Sequence, residues 1–349
     1  MRSKLSVRFW VPVTLLVLGA ATRGARAEGP RIYVSNEDAG EVTVLDAASE
    51  AVVSHIAVGK RPRGLKLSPD GKTLYVALSG SPRGGPGVDE SKLPPPDRSA
   101  DGIGVIDLAS GKLTKLLPSG QDPESFDLSA DGKRLYVSNE ETAEMSILDL
   151  GKGKVIGHVK VGKEPEGVTL RPDGKEVFVV CEQENLVFAV STSKPKVVAK
   201  IEVGPRPRAI TFTADGKTAF VSSENSASLA VIDVATHKMT GEVKIVSKAG
   251  KPLPPRPMMS VLSPDGTRLY VSNGRGESVA VIDVASKAVL KLFEDIGARP
   301  WGIGISADGK KLYTANGPSN DVSIVDPETG KVIKRVPVGG LPWGLVVGK

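Results

Sequence analysis

Seven times along the 349-residue chain a proline is followed by one of Arg63, Glu124, Glu166, Arg208, Met258, Trp301 and Trp343. Charged residues also precede six of these prolines: Arg61, Asp122, Glu164, Arg206, Arg256 and Arg299. Two indole faces beside several guanidiniums can hold a planar anion, the ring stacking while forked N–H donors take its carboxylates. The same residues can instead neutralise one another, Arg63 and Arg208 pairing with the glutamates while the tryptophans cap an apolar core. Glu124 and Glu166 also make a carboxylate pair of the kind a hydrolase uses. The candidate ligand-binding set is therefore Arg63, Glu124, Glu166, Arg208, Trp301 and Trp343, provided that the fold gathers positions so far apart in sequence.

A repeat gathers them. The aromatics Tyr33, Tyr75, Tyr136, Phe178, Phe220, Tyr270 and Tyr313 are separated by 42, 61, 42, 42, 50 and 43 residues. Each period holds four short segments rich in β-branched or aromatic residues. Asp-Gly turns precede six of the aromatics, from Asp70-Gly71 to Asp308-Gly309, and the third segments end in Asp46, Asp107, Asp149, Ser191, Asp233, Asp283 and Asp326. A period near 40 to 45 residues with four strands is that of a β-propeller blade. The fold predicted is all-β: seven four-stranded antiparallel blades.

The ring closes through the chain ends. Leu341 to Val347 reads as a first strand with no blade after it, and Arg31 to Gly59 as strands two to four with no first strand before them. Pairing the C-terminal strand with the N-terminal blade completes a seventh unit and removes the open edges that would template association. In such a meander the loops between strands two and three, and those leading into each first strand, emerge on one face. The extra residues at Ser79 to Asp101 and around Ser247 to Pro255 both fall there, on the face of the post-proline residues, where binding is usually placed.

Other chemistry is sparse. His55, His158 and His237 fall at or near the outermost strand, unsuited to metal ligation or base catalysis, and no Cys-x-x-Cys-His, calcium loop or Gly-x-Ser-x-Gly elbow occurs. Cys181 takes the place of Asn36, Asn139, Asn273 and Asn316 at the end of strand two and reads as a small buried filler. Met258 and Met259 offer soft ligands, but two sulfurs in one segment do not make a site. The residues single out no cofactor.

Composition supplies the address. Apolar residues make up 40% of the chain and aromatics only 4%, so the core is built from Val, Ile, Leu and Ala. Residues 1–27 differ: Arg2, Lys4 and Arg8 precede an apolar run, and Ala25-Arg26-Ala27 offers small residues for cleavage, the pattern of a secretory signal peptide. The propeller domain is then 28–349. Arg2, Lys4, Arg8, Arg23 and Arg26 hold five of the six net positive charges, so the remainder lacks the basic balance of a nucleic-acid binder. The expectation is an exported monomer, periplasmic or extracellular, with no membrane span and no disulfide.

With Tyr33-Val34-Ser35-Asn36, Tyr136-Val137-Ser138-Asn139 and Tyr270-Val271-Ser272-Asn273 in view, the chain resembles the YVTN-repeat β-propellers. More narrowly it is similar to the propellers associated with PQQ-dependent catabolism, which accompany periplasmic quinoprotein alcohol dehydrogenases. Val58 to Gly64, Ser119 to Glu124, Val161 to Gly167, Tyr313 to Gly317 and Leu341 to Gly344 carry that likeness. The Ser79 to Asp101 loop departs from it. The resemblance implies an accessory protein without established catalytic residues, not the quinoprotein itself.

The expected function is thus a non-catalytic binding or scaffold module near a PQQ-dependent alcohol oxidation or cytochrome system. Its partner would be another periplasmic protein or a small planar anion. The alternatives are a propeller enzyme, either a lactonase-like hydrolase or a haem d1-type carrier, and a nucleic-acid or cell-surface binding propeller.

Overall fold

A computed structural model of the chain describes residues 29–84, 88–247 and 254–348. The expected signal peptide at 1–27 lies outside them, as do parts of both insertions.

The described residues form seven four-stranded antiparallel sheets, numbered here as blades one to seven. Blade one joins the chain ends. Its inner strand Pro342–Val347 pairs with Arg31–Asn36, which continues to Glu41–Asp46 and Ala51–Ala57. The register sets Ile32 opposite Val347 and Val34 opposite Leu345. Blades two to seven begin with inner strands at Pro62–Leu67, Pro123–Leu128, Pro165–Leu170, Pro207–Phe212, Pro257–Leu262 and Pro300–Ile305. The chain is a seven-bladed β-propeller closed by its C-terminal strand, as the spacing predicts.

The rulers in the sequence have local causes. Asp46, Asp107, Asp149, Asp233, Asp283 and Asp326 each accept a backbone N–H three residues on, closing the turn to the outer strand. The Asp-Gly glycines hold positive φ, 68° at Gly71 and 72° at Gly309, which a side chain resists. Exposed lysines punctuate the outer strands, Lys115, Lys160, Lys200, Lys244, Lys291 and Lys334 among them, and guard edges that have no further partner.

The core lies between blades. Seven apolar clusters each combine side chains of two neighbouring blades, and one of them joins Ile32, Val34 and Leu45 to Tyr313, Val322 and Ile324 across the closure.

Nearest the axis, each blade packs against the carbonyl oxygen of the next blade's post-proline residue. Ser35, Ser138, Ser222 and Ser272 donate to the carbonyls of Arg63, Glu166, Met258 and Trp301 at 2.6, 2.7, 2.5 and 2.6 Å. Where strand two carries Ala77, Val180 or Ala315 instead, a glycine on the inner strand permits the approach. A Cβ at Gly64, Gly167 or Gly302 would lie 2.9, 2.6 or 2.7 Å from the carbonyl oxygen of Glu124, Arg208 or Trp343. All seven joints use one device or the other, and the joint from blade one to blade two uses both, through Ser35 and Gly344.

The first strand of every blade is bulged just after its proline. Pro165 opposes Cys181 and Val168 opposes Val179, so one extra residue is accommodated between them. The bulge re-aims the post-proline side chain toward the axis.

Two outcomes test this account. Ser138→Ala leaves the Glu166 carbonyl and the Ser125 N–H without their partner and should cost about 1–3 kcal/mol in urea unfolding. Deleting Leu341 to Lys349 should abolish the single cooperative transition or cause association, whereas deleting Ser81 to Arg98 should leave it cooperative. Equal stability of the tail-deleted and full-length chains would refute closure.

Candidate functional site

The bulges gather the post-proline residues at one end of the axis, around a cavity of about 1110 Å³. Arg63, Glu124, Glu166, Arg208, Trp301 and Trp343 all line it; Met258 does not, being 1% exposed and packed into the core. The residues before the prolines reach the cavity by another route. Arg61, Asp122, Glu164, Arg206 and Arg299 hold φ between 41° and 57°, a left-handed conformation that side chains adopt at a cost and that clusters at functional sites.

Charge neutralisation dominates two sides of the mouth. Arg63, 2% exposed, binds Asp122 and Glu124 at 2.5 Å each and Glu140 at 3.3 Å. Arg208 binds Glu166, Glu182 at 2.5 Å and Glu224 at 2.8 Å. Arg61 and Arg206 pair with Glu37 and Glu182 at 2.8 and 2.6 Å. Arg63 and Arg208 are thus held by the protein's own carboxylates and are not open forks for a ligand. Burial disfavours the charge of both guanidiniums, but the surrounding carboxylates outweigh it and raise their pKa.

Between these two groups stand three carboxylates, Glu124, Glu140 and Glu166, with ligand oxygens all within 4.8 Å of one another. Three charges cannot be accommodated so closely. Burial, opposed and outweighed by Arg63 and by hydrogen bonds from Glu140 and Glu166, leaves Glu124 ionised with its pKa near 2. Burial, together with the charge of Glu124, pushes Glu140 well above the carboxylate range; Glu166 rises in the same direction even though Arg208 pulls it down. Glu124 is thus held ionised while Glu140 and Glu166 are pushed toward the protonated form, the separation that acid–base chemistry requires.

The remaining side is aromatic. Trp301 and Trp343, brought together by ring closure, have ring centroids 5.6 Å apart and planes inclined at 32°. The guanidiniums of Arg299 and Arg208 lie 4.7 and 5.6 Å from the Trp301 ring. The blade-two insertion leans over the cavity with Ser81, Pro82 and Leu93 to Pro96. Lys60 to Asp97 at 2.7 Å, Arg98 to Glu141 at 3.1 Å and Arg61 to the Ser81 carbonyl at 2.8 Å tie it down.

Sequence reasoning located the rim but missed Glu37, Glu140, Glu182 and Glu224. Each follows the last residue of a second strand, and the recurrence of glutamate after Asn36, Asn139, Cys181 and Ser223 was the available signal. The histidines lie away from the cavity: His55 and His158 on outer strands, His237 beside Glu176 at 3.0 Å. Cys181 is buried, and burial pushes its thiol up to about 12, so it packs as a filler.

The comparisons with known proteins follow the same fold. A family model described as "Lactonase, 7-bladed beta-propeller" matches residues 167–338, just under half of the chain, and a choice-of-anchor I domain model matches residues 31–190. Antigen Lp49 of Leptospira interrogans is 31% identical over 137 residues, which are 31% of this chain and 30% of that protein. Protein YncE of Salmonella typhi is 40% identical over 67 residues, 19% of this chain and 17% of its own length. The chain thus matches less than a third of each relative.

Among solved structures, the Pseudomonas aeruginosa periplasmic gluconolactonase superposes with a TM-score of 0.73 at 22% identity, covering 92% of this chain and 99% of that one. A putative 6-phosphogluconolactonase of Bacteroides uniformis gives 0.73 at 18%, with the same coverage. Kuenenia stuttgartiensis hydrazine synthase gives 0.71 at 20%, covering 89% and 99%. These likenesses show the seven-bladed propeller fold.

The protonated state of Glu140 has a thermodynamic signature. Its folded pKa lies above its unfolded one, so between the two the folded state holds a proton that the unfolded state has released, and stability falls as pH rises. Glu140→Gln should flatten that fall, by up to about 1.4 kcal/mol per pH unit, in urea unfolding measured from pH 5 to 9. An unchanged slope would refute the raised pKa of Glu140.

Proposed function

We propose that the cavity binds and hydrolyses a small cyclic ester of a hydroxy acid, a lactone. The observation that carries this reading is the convergence of the Glu124, Glu140 and Glu166 carboxylates, oxygens within 4.8 Å, in an open cavity whose charges hold Glu124 ionised and push the other two up. Water adds its oxygen to the ring carbonyl carbon while its proton passes to Glu124. The carbonyl–ring oxygen bond breaks, and Glu140 gives its proton to the departing alkoxide. A proton hop from Glu124 to Glu140 within the cluster resets the site, so the sum is lactone plus water to hydroxy acid. Trp301 and Trp343 supply an apolar wall against which a sugar-like ring lies. The lactonase family model and the gluconolactonase among the structural relatives support this reading, although fold alone does not give function.

A second reading has its own support. The Trp301–Trp343 pair suits a flat polycyclic acid, as expected of a non-catalytic partner to a PQQ-dependent oxidation system. In either case we place the protein outside the cytoplasm as a monomer, exported by residues 1–27 and cleaved after Ala27.

Acid release from glucono-1,5-lactone, corrected for spontaneous opening, tests the first reading. Glu140→Gln should lower the enzymatic rate by at least about 100-fold. The wild-type rate should fall as pH rises through the raised pKa of the acid. A wild-type rate equal to the background, combined with tight binding of PQQ by calorimetry, would favour the binding module and sink the hydrolase.

A further inference from the structure

The charges around the cavity are not evenly matched. On the side of Arg61 and Arg63, each guanidinium has a carboxylate in contact, including Glu37, Asp122, Glu124 and Glu140. Across the cavity, Arg206 and Arg208 already occupy Glu166, Glu182 and Glu224, and two further guanidiniums, Arg275 and Arg299, line the same wall.

Among the described residues neither the Arg275 nor the Arg299 guanidinium has a carboxylate within 4 Å or a hydrogen-bond partner. Arg299 is half-buried, pressed 4.7 Å from the Trp301 ring centroid, and Arg275 is exposed on the strand-two to strand-three turn of blade six. Burial lowers the pKa of Arg299; Glu224 opposes this, and Arg275, Arg208 and Arg206 add to it by repulsion. A half-buried guanidinium with no carboxylate in contact lacks the ion pair that its neighbours have.

We propose that Arg275 and Arg299, over Trp301, form an oxyanion subsite that takes a carboxylate or phosphate group of the ligand. This rests on the reading of the cavity as a substrate site and specifies the substrate: a ring bearing, apart from its ester, one anionic group. The ring lies toward Trp343, the anionic group on the arginine wall and the ester toward Glu124 and Glu140. Arg63 and Arg208 support the site from beneath by holding the carboxylates in place.

The chain offers a direct readout, because two of its three tryptophans are Trp301 and Trp343. In the full chain carrying Trp10→Phe, every indole lies at this cavity. Inorganic phosphate, gluconate and the neutral methyl glucoside are titrated by calorimetry and by indole emission. Phosphate or gluconate should bind saturably and more tightly than the neutral sugar, and a response to only one of them identifies which oxyanion the subsite takes. Arg299→Ala and the exposed Arg275→Ala should each weaken that binding at least about tenfold, while Arg335→Ala on an outer strand should not. Because Arg275 is exposed, its variant separates a lost contact from a lost fold.

No saturable binding of either anion, or equal affinity in both variants, overturns the proposal. Failure of lactone hydrolysis in wild type with arginine-dependent anion binding intact removes the hydrolase and leaves the subsite. Hydrolysis that depends on Glu140 with flat anion titrations does the reverse.

Discussion

The structure depends on how closely seven inner strands can approach around one axis. Each inner strand presents a backbone carbonyl to its neighbour, and a buried carbonyl is costly unless it is hydrogen-bonded. Four joints satisfy it with a serine hydroxyl that also accepts the N–H of its own blade's bulge: Ser35 from Gly344, Ser138 from Ser125, Ser222 from Ala209 and Ser272 from Met259. The other three rely on Gly64, Gly167 and Gly302, which bring the strand close enough to pack. Because the carbonyl concerned belongs to the post-proline residue, the device that closes the ring also fixes the backbone from which each mouth side chain projects.

That coupling explains how so many charges can be buried. An ion pair taken out of water gains little unless its geometry is fixed and its remaining donors are satisfied. Arg63 meets it at both terminal nitrogens, which Asp122, Glu124 and the Pro123 carbonyl take, while its Nε is buried without a partner. Arg63 draws its carboxylates from blade three, and Arg208 draws Glu166 and Glu182 from blade four beside Glu224 of its own blade, so most pairs form only when neighbouring blades are docked. Binding chemistry and ring closure draw on the same contacts.

The insertion works differently. It adds to the cavity a proline-rich wall rooted by ion pairs to blades two and three, and it leaves the seven interblade cores untouched. Its length could therefore change without cost to the propeller, whereas a change at Ser138 or Gly167 would be felt throughout the ring.

Fold and rim were legible in the chain because both repeat. Periods near 42 residues, Asp-Gly turns, aspartates at strand ends and prolines before inner strands each have a local cause that acts within one blade, so the sequence alone determined seven blades, their closure through Pro342 to Val347 and six of the seven post-proline residues at the mouth. It also placed Arg and Glu together there. What it could not decide was which charges cancel. Whether Arg63 serves a ligand or Asp122, Glu124 and Glu140, and whether Arg299 is left over, depends on distances between residues of different blades, set by bulges and by the ring's curvature. Coulomb interactions and desolvation vary with those distances. Only the tertiary structure made Glu124, Glu140 and Glu166 one titrating group and left Arg275 and Arg299 facing it across the cavity.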